Sequence, residues 1–154
     1  MSNKLDIEKL KELRDRSGVS FALCKKALEE THNNMAKAVK RLQEIAGTKV
    51  AEKSSRVTSD GGLFSYVHHN RKIAALVEIV SETDFVSGNE QFKRLGSEIA
   101  MHIASISSKT VEELLSQEYV RDPSKTISDL IKESVLKFGE NIKIKRFIRW
   151  KLGE

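Results

Sequence analysis

The chain has a single cysteine, Cys24, so it cannot form an internal disulfide, which fits a reducing compartment. It also lacks long apolar runs. One of the longest, Ile73-Ala74-Ala75-Leu76-Val77, falls far short of the roughly 20 residues that cross a bilayer. The opening residues Met1-Ser2-Asn3-Lys4-Leu5-Asp6 carry no apolar signal region. A cytoplasmic protein with no membrane partner is therefore expected. The four histidines, His32, His68, His69 and His102, match no zinc spacing, and there is no second cysteine to help them. Gly61-Gly62 is not followed by Lys-Ser/Thr and precedes a strand, so it is not a phosphate loop. Glu78, Glu82 and Asp84 cluster, but nothing visible sets an acid against a base. The reading is a binding protein rather than an enzyme, with no cofactor and no metal.

What is present is charge, unevenly spread over 154 residues with a net charge of +5. Residues 1–47 carry ten Lys/Arg against seven Asp/Glu, and residues 61–140 carry nine against twelve. Lys143, Lys145, Arg146, Arg149 and Lys151 fall within 141–152, where there is no acid.

Periodicity divides the chain. Leu5 or Ile7 with Leu10 and Leu13 predicts a helix over 5–15, ended by Ser17-Gly18. Ser20 caps a second helix, Phe21 to Glu30, with Leu23, Ala27 and Leu28 inward. His32-Asn33-Asn34 is a turn. A third helix runs from Met35 to Ala46, with Met35, Val39, Leu42 and Ile45 or Ala46 inward, and Gly47 stops it. Residues 1–47 thus form a compact three-helix domain, and the polar stretch 48–60 is a linker that can prolong the third helix by a turn.

Residues 61–154 read as an α+β layer. Leu63 to His69 and Lys72 to Val80 form a hairpin about Asn70-Arg71, and the second strand reads as buried on both faces. Ser81 to Gly88 is a loop. Asn89 caps a helix from Glu90 to Ser105, a short helix covers Val111 to Gln117, and Ser124 caps a third that Gly139 ends. A last strand puts Ile142, Ile144, Ile148, Trp150 and Leu152 on one face, and Lys143, Lys145, Arg149 and Lys151 on the other. The result is a three-stranded antiparallel sheet packed with helices. Its free edges and incompletely covered face invite a partner or a second copy.

Cys24 as a nucleophile competes with Cys24 as a small core residue, and the core reading is favoured. The basic strand 143–151, with Phe147 and Trp150, could follow phosphates, but a solvated face that guards a sheet edge is favoured. His102 either sits in the core or faces a partner. The loop Val80–Asn89 sets Phe85 and Val86 in a polar stretch. Such residues either fold back onto the core or anchor a partner.

Several segments carry a family resemblance. Leu13-Arg14-Asp15-Arg16-Ser17-Gly18 with Cys24-Lys25-Lys26-Ala27-Leu28 resembles the opening motif of bacterial elongation factor Ts. Glu82-Thr83-Asp84-Phe85-Val86 resembles that family's signature loop. Ile99-Ala100-Met101-His102-Ile103-Ala104, and Gly139-Glu140-Asn141-Ile142 with Arg146-Phe147, resemble further segments in family order. The resemblance implies a guanine-nucleotide exchange factor that promotes GDP release from elongation factor Tu. It implies that the N-terminal domain is ubiquitin-associated-like and docks on the GTPase. Phe85 would then be an apolar wedge near the magnesium and phosphate site, Asp84 its polar neighbour, and Thr83 and Val86 its shoulders. Arg14, Phe21, Ala22 and His102 would make further partner contacts. Phe21-Ala22-Leu23 stands where the family usually has Met-Met-Asp. One sheet-and-helix unit implies the compact form that pairs as a homodimer, with no direct nucleic-acid contact. The connection from Ile103 to Pro123 is short even for that form.

Overall fold

The computed structural model describes residues 4–154; Met1, Ser2 and Asn3, part of the N-terminal stretch expected to carry no signal region, lie outside the described residues. The chain divides into two compact units. One gathers the chain up to Ser54 with Lys132–Gly139, and the other gathers Ser55–Ile131 with Glu140–Glu154.

The first unit is built on three helices, α1 (Ile7–Ser17), α2 (Phe21–Glu30) and α3 (Met35–Lys53). Each begins on a side-chain cap. Asp6 accepts from the Glu8 and Lys9 amides, Ser20 from Leu23 and Asn34 from Lys37, satisfying donors that a helix start leaves unpaired. Gly18 ends α1 at φ 65°, a left-handed cap that costs glycine nothing. Leu10, Leu13, Cys24, Ala27, Leu28, Ala38, Leu42 and Ile45 form the core, and Leu136 packs on it from the later segment.

Two expectations fail here. Gly47 does not stop α3, which continues to Lys53. Glycine stops a helix by adopting a left-handed conformation, whereas Gly47 stays helical and merely lowers propensity by about 1 kcal/mol. Residues 48–53 prolong α3 by somewhat more than the single turn allowed for, and the stretch outside helix and strand is 54–59. Val39 is exposed, and its neighbour Ala38 is the buried residue.

The second unit is α+β. Strands β1 (Asp60–Val67), β2 (Ile73–Ser81) and β5 (Lys143–Lys151) form an antiparallel sheet in the order β1-β2-β5. Between β2 and β5 come α4 (Asp84–Ser87), α5 (Glu90–Ser105), α6 (Val111–Ser116), the strands β3 (Glu118–Tyr119) and β4 (Asp122–Thr126), and α7 (Ile127–Phe138). Helix α5 covers one sheet face. Phe92, Ile99 and Ile103 are buried with Ala75, Val77 and Ile79, and the Phe64 and Phe92 rings meet edge-on at 5.9 Å.

Strand β2 is not buried on both faces. Ala75, Val77, Ile79 and Ser81 are buried, but Leu76 is 42% exposed on the opposite side. A strand alternates, and helices cover a single face of this sheet. The last strand also departs from its expected pattern. Glu78 pairs with Arg146 but Ile79 pairs with Ile144, so Lys145 is an extra residue in a bulge. A bulge exchanges the faces of the residues beyond it. Ile144 is therefore buried, while Ile148 and Trp150 lie on the open face with Leu76. Arg149 turns to the helix side, where its Nε donates to the Ala104 carbonyl at 3.2 Å.

Ser124 caps no helix. Asp122–Thr126 pairs with β3 as a short ribbon, and α7 starts at Ile127. The cap is a reciprocal box: the Asp129 amide donates to Thr126 Oγ1 at 3.1 Å, and the Thr126 amide donates to Asp129 Oδ2 at 2.9 Å.

Candidate functional site

The segment leaving β2 is a structured projection rather than a free loop. Asp84–Ser87 makes one helical turn, α4, with Thr83 as its first flanking residue. The two apolar residues part company there. Val86 is buried at 7% exposure, and Phe85 is 88% exposed. Val86 thus folds back onto the core, whereas Phe85 does not. Asp84 is exposed beside Phe85.

Tight bonding holds the base of this turn. One carboxylate oxygen of Glu140 accepts the Glu82 amide at 3.1 Å and the Thr83 amide at 3.0 Å, while the other accepts the Thr83 hydroxyl at 2.6 Å. In return, Glu82 Oε1 accepts the Asn141 amide at 2.7 Å, with Arg56 Nη1 3.5 Å away. Asn141 is buried and donates from Nδ2 to the Arg56 carbonyl at 2.9 Å. The far end of the turn is tied to β1. Ser87 Oγ donates to Asp60 Oδ1 at 2.6 Å, and the Gly61 amide donates to the same oxygen at 2.7 Å. These two donors hold the Asp60 carboxyl below its ordinary range, the Ser87 hydroxyl contributing most. A charged acceptor with two or three donors rigidifies its surroundings.

Sequence reading named Thr83 to Val86 but missed Glu140, Asn141, Asp60 and Ser87 as the residues that hold them. Their partners lie 27 to 59 positions away. The available local signal was an acid directly after the helix-ending Gly139, which stands at φ 71°.

The other candidate residues divide. Arg14, Phe21 and Ala22 are exposed in the first unit, on either side of the turn joining α1 to α2, with Phe21 half exposed. His102 is different. It is fully buried in α5, its Nε2 lies 2.9 Å from Gln117 Oε1, and its Nδ1 accepts the Val120 amide at 3.3 Å. An acceptor at Nδ1 fixes the neutral tautomer with the proton on Nε2. Burial drives its pKa below the ordinary value, with the Gln117 bond opposing. The imidazole therefore faces the core and offers a partner no surface.

Cys24 is likewise internal. Burial pushes its thiol pKa up, and Sγ lies 3.7 Å from the Val19 carbonyl. A buried thiol of raised pKa is a poor nucleophile. The His68 and His69 ring centroids lie 4.2 Å apart with the rings tilted by 50°, and Tyr66 Oη is 3.0 Å from His68 Nδ1. Among the described residues, no group of three or more His, Cys, Asp or Glu side chains is arranged to hold a metal ion, and no helix is long and apolar enough to cross a membrane. On the basic strand, Lys143, Lys145 and Arg146 are exposed, and Arg146 pairs with Glu78 at 3.3 Å.

Comparison with known proteins bears on the same loop. The family model described as elongation factor TS matches residues 82–154, beginning at Glu82. An elongation factor Ts of Thermosipho melanesiensis is 36% identical over 190 aligned positions, covering 94% of this chain and 97% of that protein. This chain belongs to the elongation factor Ts family. Elongation factor Ts of Fervidobacterium nodosum is 34% identical, covering 98% of this chain and all of that protein, and that of Coprothermobacter proteolyticus is 37% identical with 94% and 96% covered. The family is one of translation elongation factors, and the α+β fold agrees with the resemblance. Since 94% of 154 residues is about 145, roughly 45 of the 190 positions aligned with the Thermosipho elongation factor Ts have no counterpart here.

Proposed function

We propose that this chain is a guanine-nucleotide exchange factor that promotes release of GDP from elongation factor Tu, with Phe85 as the wedge. One observation carries the reading: a phenylalanine 88% exposed at the tip of a turn whose base is bonded through Glu82, Thr83 and Ser87. Exposing a large apolar side chain on a rigid support is unfavourable for an isolated protein and useful for one that inserts into a partner. Asp84 lies beside it as the polar contact and Thr83 forms a shoulder near the magnesium and phosphate site, while Val86, the other expected shoulder, is buried and supports the turn from the core side. Exposed Arg14, Phe21 and Ala22 suit a second contact, in which the ubiquitin-associated-like domain over 1–47 docks on the nucleotide domain of the GTPase. His102 acts from inside, holding α5 to the segment around Gln117 and Val120.

No bond is made or broken by this function, so no catalytic acid, base or cofactor is required and the chain is not an enzyme. Exchange needs differential affinity. The wedge must fit the nucleotide-free GTPase better than the GDP form, and by linkage each ligand then weakens the other equally. The protein works in the cytoplasm without nucleic acid or membrane. The open sheet face, with Leu76, Ile148 and Trp150 exposed, further supports a homodimer.

The test is release of labelled GDP from elongation factor Tu with and without this protein. Acceleration by the intact protein is expected. Phe85→Ala should lower kcat/KM by about thirtyfold or more, as buried aromatic anchors cost about 2 kcal/mol or more when truncated. A Phe85→Ala protein with the wild-type rate would remove the wedge.

A further inference from the structure

We propose that Glu140 is the positioning residue of the exchange loop: it holds the backbone at Glu82 and Thr83 so that Phe85 projects before any partner arrives. The inference rests on the exchange function proposed above and assigns the cause of the wedge's rigidity. Phe85 is almost wholly exposed, so its own side chain does little to fix its direction. That direction is inherited from α4, a helix of four residues. So short a helix does not persist by its own hydrogen bonds. A threonine at its start would ordinarily cap it, yet Thr83 makes no side-chain cap bond to α4. Its hydroxyl donates to Glu140 instead. The turn is thus held from outside, by a carboxylate 57 positions away in sequence that accepts two amides and a hydroxyl. The Asn141 amide returns a bond to Glu82, so four hydrogen bonds join residues 82–83 to residues 140–141.

Without Glu140, two backbone amides and a hydroxyl lose their acceptor, and the loop samples other conformations. The ordering entropy then falls on the encounter with the GTPase, weakening the productive complex. A purely structural Glu140 would lower stability throughout the unit, independently of Phe85. A positioning Glu140 acts through the turn it holds, and chiefly through Phe85 at its tip.

The experiment is a double-mutant cycle in GDP release, joined to amide hydrogen exchange of the free protein. Glu140→Ala should lower kcat/KM about tenfold, the scale of one charge-assisted hydrogen bond. Glu140→Gln should recover most of that loss, since its carbonyl oxygen can still accept both amides. The Glu140→Ala/Phe85→Ala protein should fall below Phe85→Ala alone by no more than about twofold, because the principal contact of the turn is already gone. Exchange of the amides over 82–87 should quicken in Glu140→Ala. Losses that multiply in the double variant, or exchange over 82–87 unchanged by Glu140→Ala, would overturn the role of Glu140. Should Glu140→Ala fail to fold, Thr83→Val removes the hydroxyl bond to Glu140 while keeping the bulk of the Thr83 shoulder, and enters the same cycle with the same expectations. Wild-type protein that leaves GDP release unaccelerated overturns the exchange function itself, and hydrogen exchange then still reads the clamp.

Discussion

At the scale of single residues, His102 shows how environment decides what a polar side chain does. A histidine among Met101, Ile103 and Ala104 is compatible with a buried or a partner-facing ring, and helical periodicity cannot choose. Two hydrogen bonds choose here, because each ring nitrogen finds its partner inside the unit. The consequence is a pH dependence. Burial places the folded pKa below the ordinary 6.5, whereas the unfolded chain titrates near that value. Above pH 6.5 neither state binds the proton, and the full stability is present. As pH falls below 6.5 the unfolded state takes up the proton first, so stability drops until the folded pKa is reached. Urea midpoints measured from about pH 7.5 down to about pH 5.5 should therefore decline on the acid side, and His102→Asn should flatten the decline. A wild-type profile that stays level across this window would contradict the neutral, buried imidazole.

At the scale of elements, the legible features were local and the concealed ones distant. The starts of α2 at Phe21 and of α5 at Glu90 are set by Ser20 and Asn89, because a cap is decided within three residues. Glycine was the less reliable guide. Gly18 and Gly139 end their helices at positive φ, while Gly47 passes unnoticed through α3. Nothing near Gly47 distinguishes it, since the difference lies in whether the chain beyond has reason to turn. The bulge at Lys145 was equally hidden. It is a property of two paired strands, and the alternation of β5 alone pointed Ile148 and Trp150 toward the wrong face. The clamp on α4 belongs to the same class, as Glu140 and Thr83 meet only after the whole unit has closed. The start of α7 departs from the sequence expectation for a different reason. Ser124 and Thr126 are both plausible caps, but only Thr126 has an acid three residues on to complete the box. Thr126→Ala should therefore destabilise the protein by about 1 kcal/mol, while Ser124→Ala should leave the urea midpoint nearly unmoved. Equal shifts for the two variants would refute the assignment.

At the scale of the whole molecule, the open sheet face is unexplained by folding of one chain. Leu63, Val67, Leu76, Ile148 and Trp150 are all exposed large hydrophobics. Register brings Leu76 opposite Ile148, with Ala74 opposite Trp150 beside it. The Arg146–Glu78 ion pair interrupts the patch and gives it a polar landmark. A two-fold axis through such a face would bury the same residues from both chains, the arrangement most common among soluble oligomers. The roughly 45 aligned positions missing relative to the Thermosipho elongation factor Ts leave less chain from which to build a second covering layer. We therefore expect a solution mass of twice the 17.4 kDa chain at micromolar concentration. Leu76→Glu, set on the central strand where its charge meets solvent in a monomer, should shift the mass to one chain while the helical circular dichroism signal persists. Exchange should respond as well. If each GTPase touches both copies, Leu76→Glu should lose GDP-release activity in step with the dimer, and activity should return at protein concentrations that restore association. A Leu76→Glu monomer with wild-type exchange would mean that Phe85 acts within a single chain, and a wild-type mass of one chain would remove the dimer.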